Sequence, residues 1–398
     1  MTEVPEVDMK KELTLIFIAA IKAGTSDIHI VPEHKKIYVK FRVDGKFVNY
    51  KIMAIENLEL LIRKLKIIGN LKTEENRLPQ DGSFTITVEN KEIFIRASLF
   101  PTLYGEKAVL RILSTENEDI TATKLWIHKF HEQKIEKYIK RKNGLILIVW
   151  PTGSGKSTTI VSILKQFDPE KYNITTLEDP IEYRINGVTH SQINHRIGFD
   201  FAVWLRSILR QDPDIVMVWE IRDMETAKLS MEAAITGHLV LSTLHANSGT
   251  NSVQRLISLN VDSNMIISGL KLVISQQLIR RLCPHCKKKY FPTPEVLSEI
   301  QSTIGRIVSI KWELHLFAED ENGCEKCNYT GFKGRIGIYE VFELTKAIKK
   351  LILEKQSENL VEEQAMKEGM VSLRQDGIIR VVEGDISLTE LNESIGDM

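Results

Sequence analysis

The sequence lacks several features that would assign it to common protein classes. No apolar run approaches the roughly 18 residues that can cross a bilayer. The short apolar stretch from Leu13 to Ile21 follows acidic residues and leads to no cleavage site, unlike a signal peptide. Net charge is also lacking, because 53 basic side chains balance 53 acidic ones, which argues against a nucleic-acid partner. We therefore expect a cytoplasmic protein that binds no nucleic acid.

Cysteine is scarce, and its few positions are paired. The 398 residues include four cysteines in two CxxC pairs, Cys283 with Cys286 and Cys324 with Cys327. Without an export signal, such pairs indicate metal ligation and not disulfides. Four thiolates suit tetrahedral Zn²⁺ in a closed structural site, so we predict a zinc module. The alternative is four reduced cysteines packed in a core.

The first part of the chain, residues 1–113, has the pattern of a small α+β domain. An apolar helical segment is followed by stretches with period-two alternation, which are typical of half-buried strands. Turns are predicted at Asp44-Gly45 and Asp81-Gly82. The polar run over residues 114–125 is predicted to be a linker.

The remainder, residues 126–398, has the pattern of an α/β domain. Four runs predicted to be buried strands, the first of them continuously apolar as is typical of a strand buried on both faces, alternate with helical segments. These runs are Leu145–Val149, Ile174–Leu177, Ile215–Val218 and Leu239–Thr243. Residues 280–335 interrupt the alternation, and we assign them to the zinc module. The sequence therefore predicts a mainly parallel sheet that carries a tetracysteine insert.

A glycine-rich segment follows the first buried run and precedes a predicted helix. It reads PTGSGKST, and this strand, loop and helix context is that of a P-loop. Backbone N–H groups would hold the β-phosphate of ATP, Lys156 would neutralise phosphate oxygens, and the Ser157 hydroxyl would bind Mg²⁺. The predicted nucleotide-binding residues are Pro151, Thr152, Gly153, Ser154, Gly155, Lys156, Ser157 and Thr158. One position departs from the motif, since Trp150 stands where the first glycine is required.

An acidic residue follows the third buried run. The segment after Val218 reads WEIRD, and in P-loop enzymes a second buried strand carries an acid towards the γ-phosphate. We predict that Glu220 polarises the attacking water. A solvated glutamate at the end of a strand would give the same local pattern.

Longer stretches now point to one family. The segment Leu209–Asn247 contains LRQDPDIVMVWEIRD and TGHLVLSTLHAN, Ile174–Tyr183 reads ITTLEDPIEY, and Gly105–Leu113 reads GEKAVLRIL. With these motifs the chain resembles the assembly ATPases of type II secretion and type IV pili over nearly its whole length. The resemblance implies a RecA-like P-loop NTPase domain preceded by a smaller, PAS-like α+β domain.

The resemblance also implies roles for individual residues. Glu178 and Glu220 would manage Mg²⁺ and the attacking water, and His238 and His245 would lie near the γ-phosphate. Arg96 and Arg111 match arginines that reach the nucleotide from the N-terminal domain, and Arg77 is a weaker candidate. The alternatives are a core histidine for His238 and surface ion pairs for the arginines.

The same resemblance implies a working assembly. It suggests a homo-hexamer at the inner face of the cytoplasmic membrane that moves a polytopic platform protein, and the tetracysteine insert favours pilus assembly over retraction. The chain lacks the extra N-terminal docking domain of longer members, so we expect a short form. Two alternatives are a regulatory paralogue that binds ATP but turns over poorly, and a nucleic-acid motor.

Four tryptophans occupy positions where the family motifs have glycine, and they generate a prediction. Trp150, Trp204 and Trp219 replace motif glycines, and Trp126 matches one more loosely. Glycine is used where backbone or phosphate comes close, and a tryptophan side chain adds roughly 150–250 Å² of surface there. UGA is read as tryptophan in some bacterial codes and as glycine in others. We expect peptide mass spectrometry of the native protein to find glycine at all four positions.

The codons provide the control for this prediction. UGA codons at positions 126, 150, 204 and 219 would agree with glycine in the native protein. UGG codons, or tryptophan in the native peptides, would contradict it and would favour the poorly active paralogue.

Overall fold

The structure is a computed structural model that describes residues 8–89, 91–114, 125, 127–141, 143–149, 154–194, 200–308 and 314–396. These residues fall in two units, which lie within Met1–Asn117 and Glu118–Met398. The predicted α/β fold with a preceding α+β domain is confirmed. Within the ranges given above, no helix is both long enough and apolar enough to span a membrane.

The N-terminal unit is an antiparallel sheet with two helices. The helices are α1 (Met9–Lys22) and α2 (Leu58–Ile68). The strands are β1 (Thr25–Pro32), β2 (Lys36–Val43), β3 (Lys46–Ala54), β4 (Gln80–Val88), β5 (Lys91–Thr102) and β6 (Gly105–Ser114). Their order in the sheet is β3-β2-β1-β6-β5-β4. Apolar residues of both helices, such as Ile16 and Leu61, pack against inward-facing strand residues such as Ile95.

Local sequence signals set the first elements of this unit. The Asp8 carboxylate accepts hydrogen bonds from the N–H groups of Lys10 and Lys11 and so caps α1. Asp44 and Gly45 both adopt positive φ, at 47° and 89°, as a two-residue hairpin turn between β2 and β3 requires. The predicted hairpin is therefore confirmed.

The C-terminal unit is built on a seven-stranded sheet. Its strands are β7 (Gly144–Val149), β8 (Ile174–Glu178), β9 (Thr189–Gln192), β10 (Ile215–Val218), β11 (Leu239–Leu244), β12 (Leu270–Leu282) and β15 (Phe332–Glu343). The order is β15-β12-β7-β11-β10-β8-β9. All neighbouring pairs are parallel except β12 with β15. The mainly parallel sheet is therefore as predicted.

Helices cover both faces of this sheet. They are α3 (Lys129–Ile139), α4 (Lys156–Leu164), α5 (Phe201–Ile208), α6 (Met224–Ile235), α7 (Gly249–Ser258), α8 (Ser263–Gly269), α10 (Lys346–Leu353), α11 (Glu358–Lys367), α12 (Leu373–Glu383) and α13 (Leu388–Ile395). Alternate residues of β7 enter different cores, with Leu147 in one and Ile148 in the other. Burial on both faces explains why β7 has a continuous apolar sequence.

The cysteine pairs lie in an excursion between β12 and β15. The excursion contains β13 (Lys288–Tyr290), α9 (Pro294–Ile304) and β14 (Leu316–Ala318). We predicted residues 280–335 for the module, but β12 continues to Leu282 and β15 begins at Phe332. Leu282 pairs with Phe332, so the ladder of these strands closes the base of the excursion directly before Cys283.

Candidate active site

The predicted site residues follow strands that end at one edge of the parallel sheet. Val149 of β7 is in register with Leu244 of β11, and Val218 of β10 is in register with Leu177 of β8. Because parallel strands present their carboxyl ends on the same side, the segments after all four strands meet there. Glu178 ends β8, Glu220 and His245 follow the ends of β10 and β11, and Lys156 begins the helix that comes after β7.

The described part of the P-loop leads directly into a helix. Trp150 and the predicted ligands Pro151, Thr152 and Gly153 lie outside the described residues. Gly155 adopts φ 87° and precedes Lys156, the first residue of α4. The positive φ favours glycine at this position, and a Cβ there would lie 2.9 Å from Gln276 Nε2 and displace that side chain. The start of α4 can present backbone N–H groups and a positive dipole end to a phosphate.

Electrostatics link the P-loop lysine to the second strand end. Burial lowers the pKa of Lys156, and the nearby carboxylate of Glu220 opposes this shift by favouring the charged amine. Lys156 and Glu220, distant in the sequence, therefore share one partly desolvated site. A cation in such a place interacts strongly with an incoming phosphate.

Glu220 is buried, and both of its oxygens are engaged. His245 Nε2 lies 2.8 Å from Oε1, and Arg222 Nε lies 2.7 Å from Oε2. Glu220 is 7% exposed, whereas more than half of each partner side chain is exposed. His245 was predicted for this site, but Arg222 was not, although its position two residues after Glu220 could have indicated a pair.

Glu178 ends β8 and is 2% exposed. Its Oε1 accepts a hydrogen bond from the Thr176 hydroxyl at 2.7 Å and lies 2.8 Å from Nδ1 of His190. His190 belongs to β9, the neighbouring edge strand. Nothing in the sequence spacing points to His190, because the contact exists only through the pairing of β8 with β9.

Side chains from three other elements hold α4. The Thr159 hydroxyl donates to Gln276 Oε1 of β12 at 2.5 Å and lies near the hydroxyl of Tyr339. Thr158 bonds to the hydroxyl of Tyr183, whose pKa is raised by burial. The sequence did not point to these residues, since 117 positions separate Gln276 from Thr159.

His238 lies away from this edge. It directly precedes Leu239, where β11 begins, and its carbonyl accepts a hydrogen bond from Gly144, where β7 begins. Its Nδ1 lies 3.0 Å from the carbonyl of Ala233. Six residues of β11, roughly 20 Å of extended chain, separate it from the carboxyl edge. The structure therefore corrects the expectation that His238 lies with His245.

The predicted arginines lie in the N-terminal unit on neighbouring strands. Arg96 of β5 and Arg111 of β6 are register partners, so both side chains leave the same face of the sheet. Arg111 Nε lies 2.9 Å from Asp27 Oδ1. Arg96 is exposed. Arg77 is 85% exposed, in a loop where its Nε lies 3.5 Å from Glu75.

Two of the unusual tryptophans are described. Trp219 is half-buried and packs against the apolar cores on both faces of the sheet. Its backbone N–H donates to the carbonyl of Leu177 at 2.8 Å. Trp204 lies in α5, packed partly against the same core. Neither residue has a positive φ. Backbone conformation therefore does not require glycine at 204 or 219. Trp126 lies outside the described residues.

The four cysteines form a cluster with metal-site geometry. Their sulfur atoms all lie within 4.8 Å of one another, and the Cys283–Cys324 and Cys286–Cys327 separations are both 3.8 Å. Four sulfurs at about 2.3 Å from a tetrahedral Zn²⁺ would stand about 3.8 Å apart. Removal from water opposes ionisation of Cys327, but N–H donors of Cys324 and Gly331 outweigh it and lower the pKa of this thiol to about 6. The cluster therefore fits zinc.

Comparisons with known proteins agree with this site. The family model described as Type II/IV secretion system protein matches residues 6–393. The type IV pilus assembly ATPase PilB of Myxococcus xanthus is 39% identical over 384 residues, which cover 96% of this chain and 67% of that protein. The type II secretion system ATPase E of Vibrio cholerae is 38% identical over 377 residues, 94% of this chain and 72% of that protein.

A solved structure extends the comparison to the fold. The crystal structure of the pilus retraction motor PilT with bound ADP superposes with a TM-score of 0.62 and 27% identity, covering 96% of each chain. The match reaches across the described parts of both units. The chain therefore belongs to the Type II/IV secretion system protein family and is an ATPase of the kind that drives pili or secretion.

Proposed function

We propose that this ATPase is a motor subunit that powers the assembly of pilins or pseudopilins in a type IV pilus, type II secretion or competence-type system. The observation that carries the proposal is the convergence of Lys156, Glu220, His245 and Glu178 at one sheet edge. The tetracysteine cluster supports assembly over retraction, because the resemblance links that insert to assembly ATPases. One relative, PilB of Myxococcus xanthus, is named a type IV pilus assembly ATPase, which agrees with this choice.

In the proposed reaction, the start of α4 and Lys156 bind the phosphates of ATP. The Ser157 hydroxyl and Glu178 would hold Mg²⁺ or its waters, and this ion would neutralise charge on the β- and γ-phosphates. Glu220 orients the attacking water, and His245 holds Oε1 of the Glu220 carboxylate in place. Because the Arg222 side chain is 58% exposed, it can leave Oε2 free for the water.

The assembly around this chemistry is also part of the proposal. We infer a homo-hexamer at the cytoplasmic face of the inner membrane, in contact with a polytopic platform protein and not with nucleic acid. The names of the relatives support a secretion or pilus machine, and the balance of 53 basic and 53 acidic side chains gives no support for a nucleic-acid partner. Turnover with and without added DNA separates this proposal from a nucleic-acid motor.

The first prediction of the proposed function separates ATP binding from hydrolysis. Lys156→Ala should weaken ATP binding by about 100-fold or more, because it removes the cation at the phosphates. Glu220→Gln should lower kcat by about 10²–10⁴-fold and leave ATP affinity nearly unchanged, because it removes the base but keeps the hydrogen-bonding shape. Equilibrium binding of a fluorescent nucleotide and steady-state phosphate release measure the two effects.

Matched variants control for general damage. Lys165→Ala stands directly after the last residue of α4, and Glu232→Gln stands on the exposed side of α6. Both should behave like the wild type. Normal turnover of Glu220→Gln would contradict its assigned role.

The second prediction concerns the arginines of the N-terminal unit. Arg96→Ala and Arg111→Ala should each lower kcat by about tenfold or more while changing ATP affinity less, because an arginine that acts on the transferred phosphoryl group contributes mainly in the transition state. Arg63→Ala, on the exposed face of α2, is the control.

The Asp27 contact allows a sharper test of Arg111. Asp27→Asn breaks the ion pair but keeps the arginine. If Asp27→Asn reproduces the loss seen with Arg111→Ala, Arg111 acts through the fold. Equal losses in kcat and affinity would make either arginine a binding residue only.

The third prediction concerns the cysteine cluster. Protein purified without chelator should contain one zinc per chain by elemental analysis, and removal of this metal should increase hydrogen exchange in residues 283–331. Nucleotide binding should survive, because the P-loop belongs to the sheet and not to the excursion. Absence of zinc from such protein would rule out the assignment.

A further inference from the structure

A histidine from the edge strand of the sheet makes direct contact with Glu178. His190 of β9 is in register with Thr176 of β8, and Glu178 lies two residues further along β8 on the same face. His190 Nδ1 is 2.8 Å from Glu178 Oε1 and 2.9 Å from the Thr176 hydroxyl oxygen. The His190 side chain is 13% exposed and that of Glu178 is 3% exposed. The three polar groups therefore meet where little water competes.

The hydrogen bonds around His190 determine which nitrogen carries the proton. The N–H of Ile185 lies 3.0 Å from Nε2, and a backbone N–H can only donate. Nε2 must therefore be the unprotonated nitrogen, and the neutral imidazole carries its hydrogen on Nδ1. This hydrogen is directed at Glu178 Oε1, so His190 is a donor to the carboxylate.

The two oxygens of Glu178 differ as a result. Oε1 receives the Thr176 hydroxyl at 2.7 Å as well as His190. Among the residues that the structure describes, Oε2 has one long contact of 3.4 Å, from the N–H of Glu182. Two strong donors fix the orientation of the carboxylate, and Oε2 keeps the capacity to accept further hydrogen bonds.

We propose that His190 is a positioning residue that holds Glu178 with Oε1 engaged and Oε2 available to hydrated Mg²⁺. This inference rests on the proposed function, which assigns Glu178 to the metal and its water. The same imidazole accepts from Ile185, in the loop that also carries Tyr183 against Thr158 of the P-loop helix. One ring therefore orders both the carboxylate and the loop between β8 and β9.

The test compares variants that lose or keep the hydrogen bonds of the imidazole. His190→Leu removes the donor to Glu178 and the acceptor for Ile185. We expect kcat to fall about tenfold or more and the Mg²⁺ concentration for half-maximal rate to rise about tenfold, the usual scale for partners of metal-binding groups. Nucleotide affinity should change less than about twofold, because the substitution lies outside the P-loop. His190→Gln offers one donor and one acceptor on an amide and should retain most of the activity.

Two further variants keep the test decisive. Ser191→Ala alters the adjacent residue on the opposite face of β9 and should leave kcat and the Mg²⁺ dependence unchanged. If His190→Leu does not fold, as judged by circular dichroism and thermal unfolding, His190→Phe supplies a ring of similar shape without polar nitrogens and should show the same losses.

Wild-type kcat and Mg²⁺ dependence in a folded Leu or Phe variant would overturn the proposal. Equal losses in the Gln and Leu variants would also overturn it, since the hydrogen bond would not be the cause. Glu178→Gln identifies a failure at the level of the proposed function. If Glu178→Gln keeps full turnover, neither Glu178 nor His190 has the proposed role. If Glu178→Gln is inactive while His190→Leu has normal turnover, only the role of His190 is rejected.

Discussion

The parallel register of the buried sheet is the constraint on which the candidate site depends. Hydrogen bonds align Val149 with Leu244 and Val218 with Leu177, so the four parallel strands end at the same edge of the sheet. β7 and β10 carry no polar side chain, and around them the polar groups begin where the strands end. The start of α4, two buried glutamates and a histidine converge there without any local sequence linking them.

Elements with a strong local signal could be predicted from the sequence. The continuous apolar runs identified the strands, and the run of glycine, serine and lysine before a helical segment identified the start of α4. Contacts across the sheet could not be predicted. His190 meets Glu178 through the β8–β9 pairing, and Gln276 reaches Thr159 from a strand 117 residues away. Such contacts depend on register, which no single-sequence pattern specifies.

The case of His238 shows how motif reasoning can misplace a residue. His238 and His245 stand close together in the sequence, but β11 runs between them, and a strand carries its two ends to opposite edges of a sheet. Arg222 shows the opposite situation. It follows Glu220 by two residues after the strand has ended, so that the backbone can turn its side chain back onto the carboxylate. Whether a neighbour in the sequence becomes a neighbour in space therefore depends on where the strand stops.

The P-loop helix is bonded to several parts of the C-terminal unit. Thr158 contacts Tyr183 of the loop after β8, and Thr159 contacts Gln276 of β12 and Tyr339 of β15. The Tyr339 hydroxyl also lies 3.1 Å from the carbonyl of Leu125, at the start of the C-terminal unit. β12 and β15 are the strands that close the base of the cysteine excursion. A phosphate that displaced α4 would therefore strain contacts with the loop after β8, with these two strands and with the chain entering the unit, because buried hydrogen bonds are costly to leave unmade.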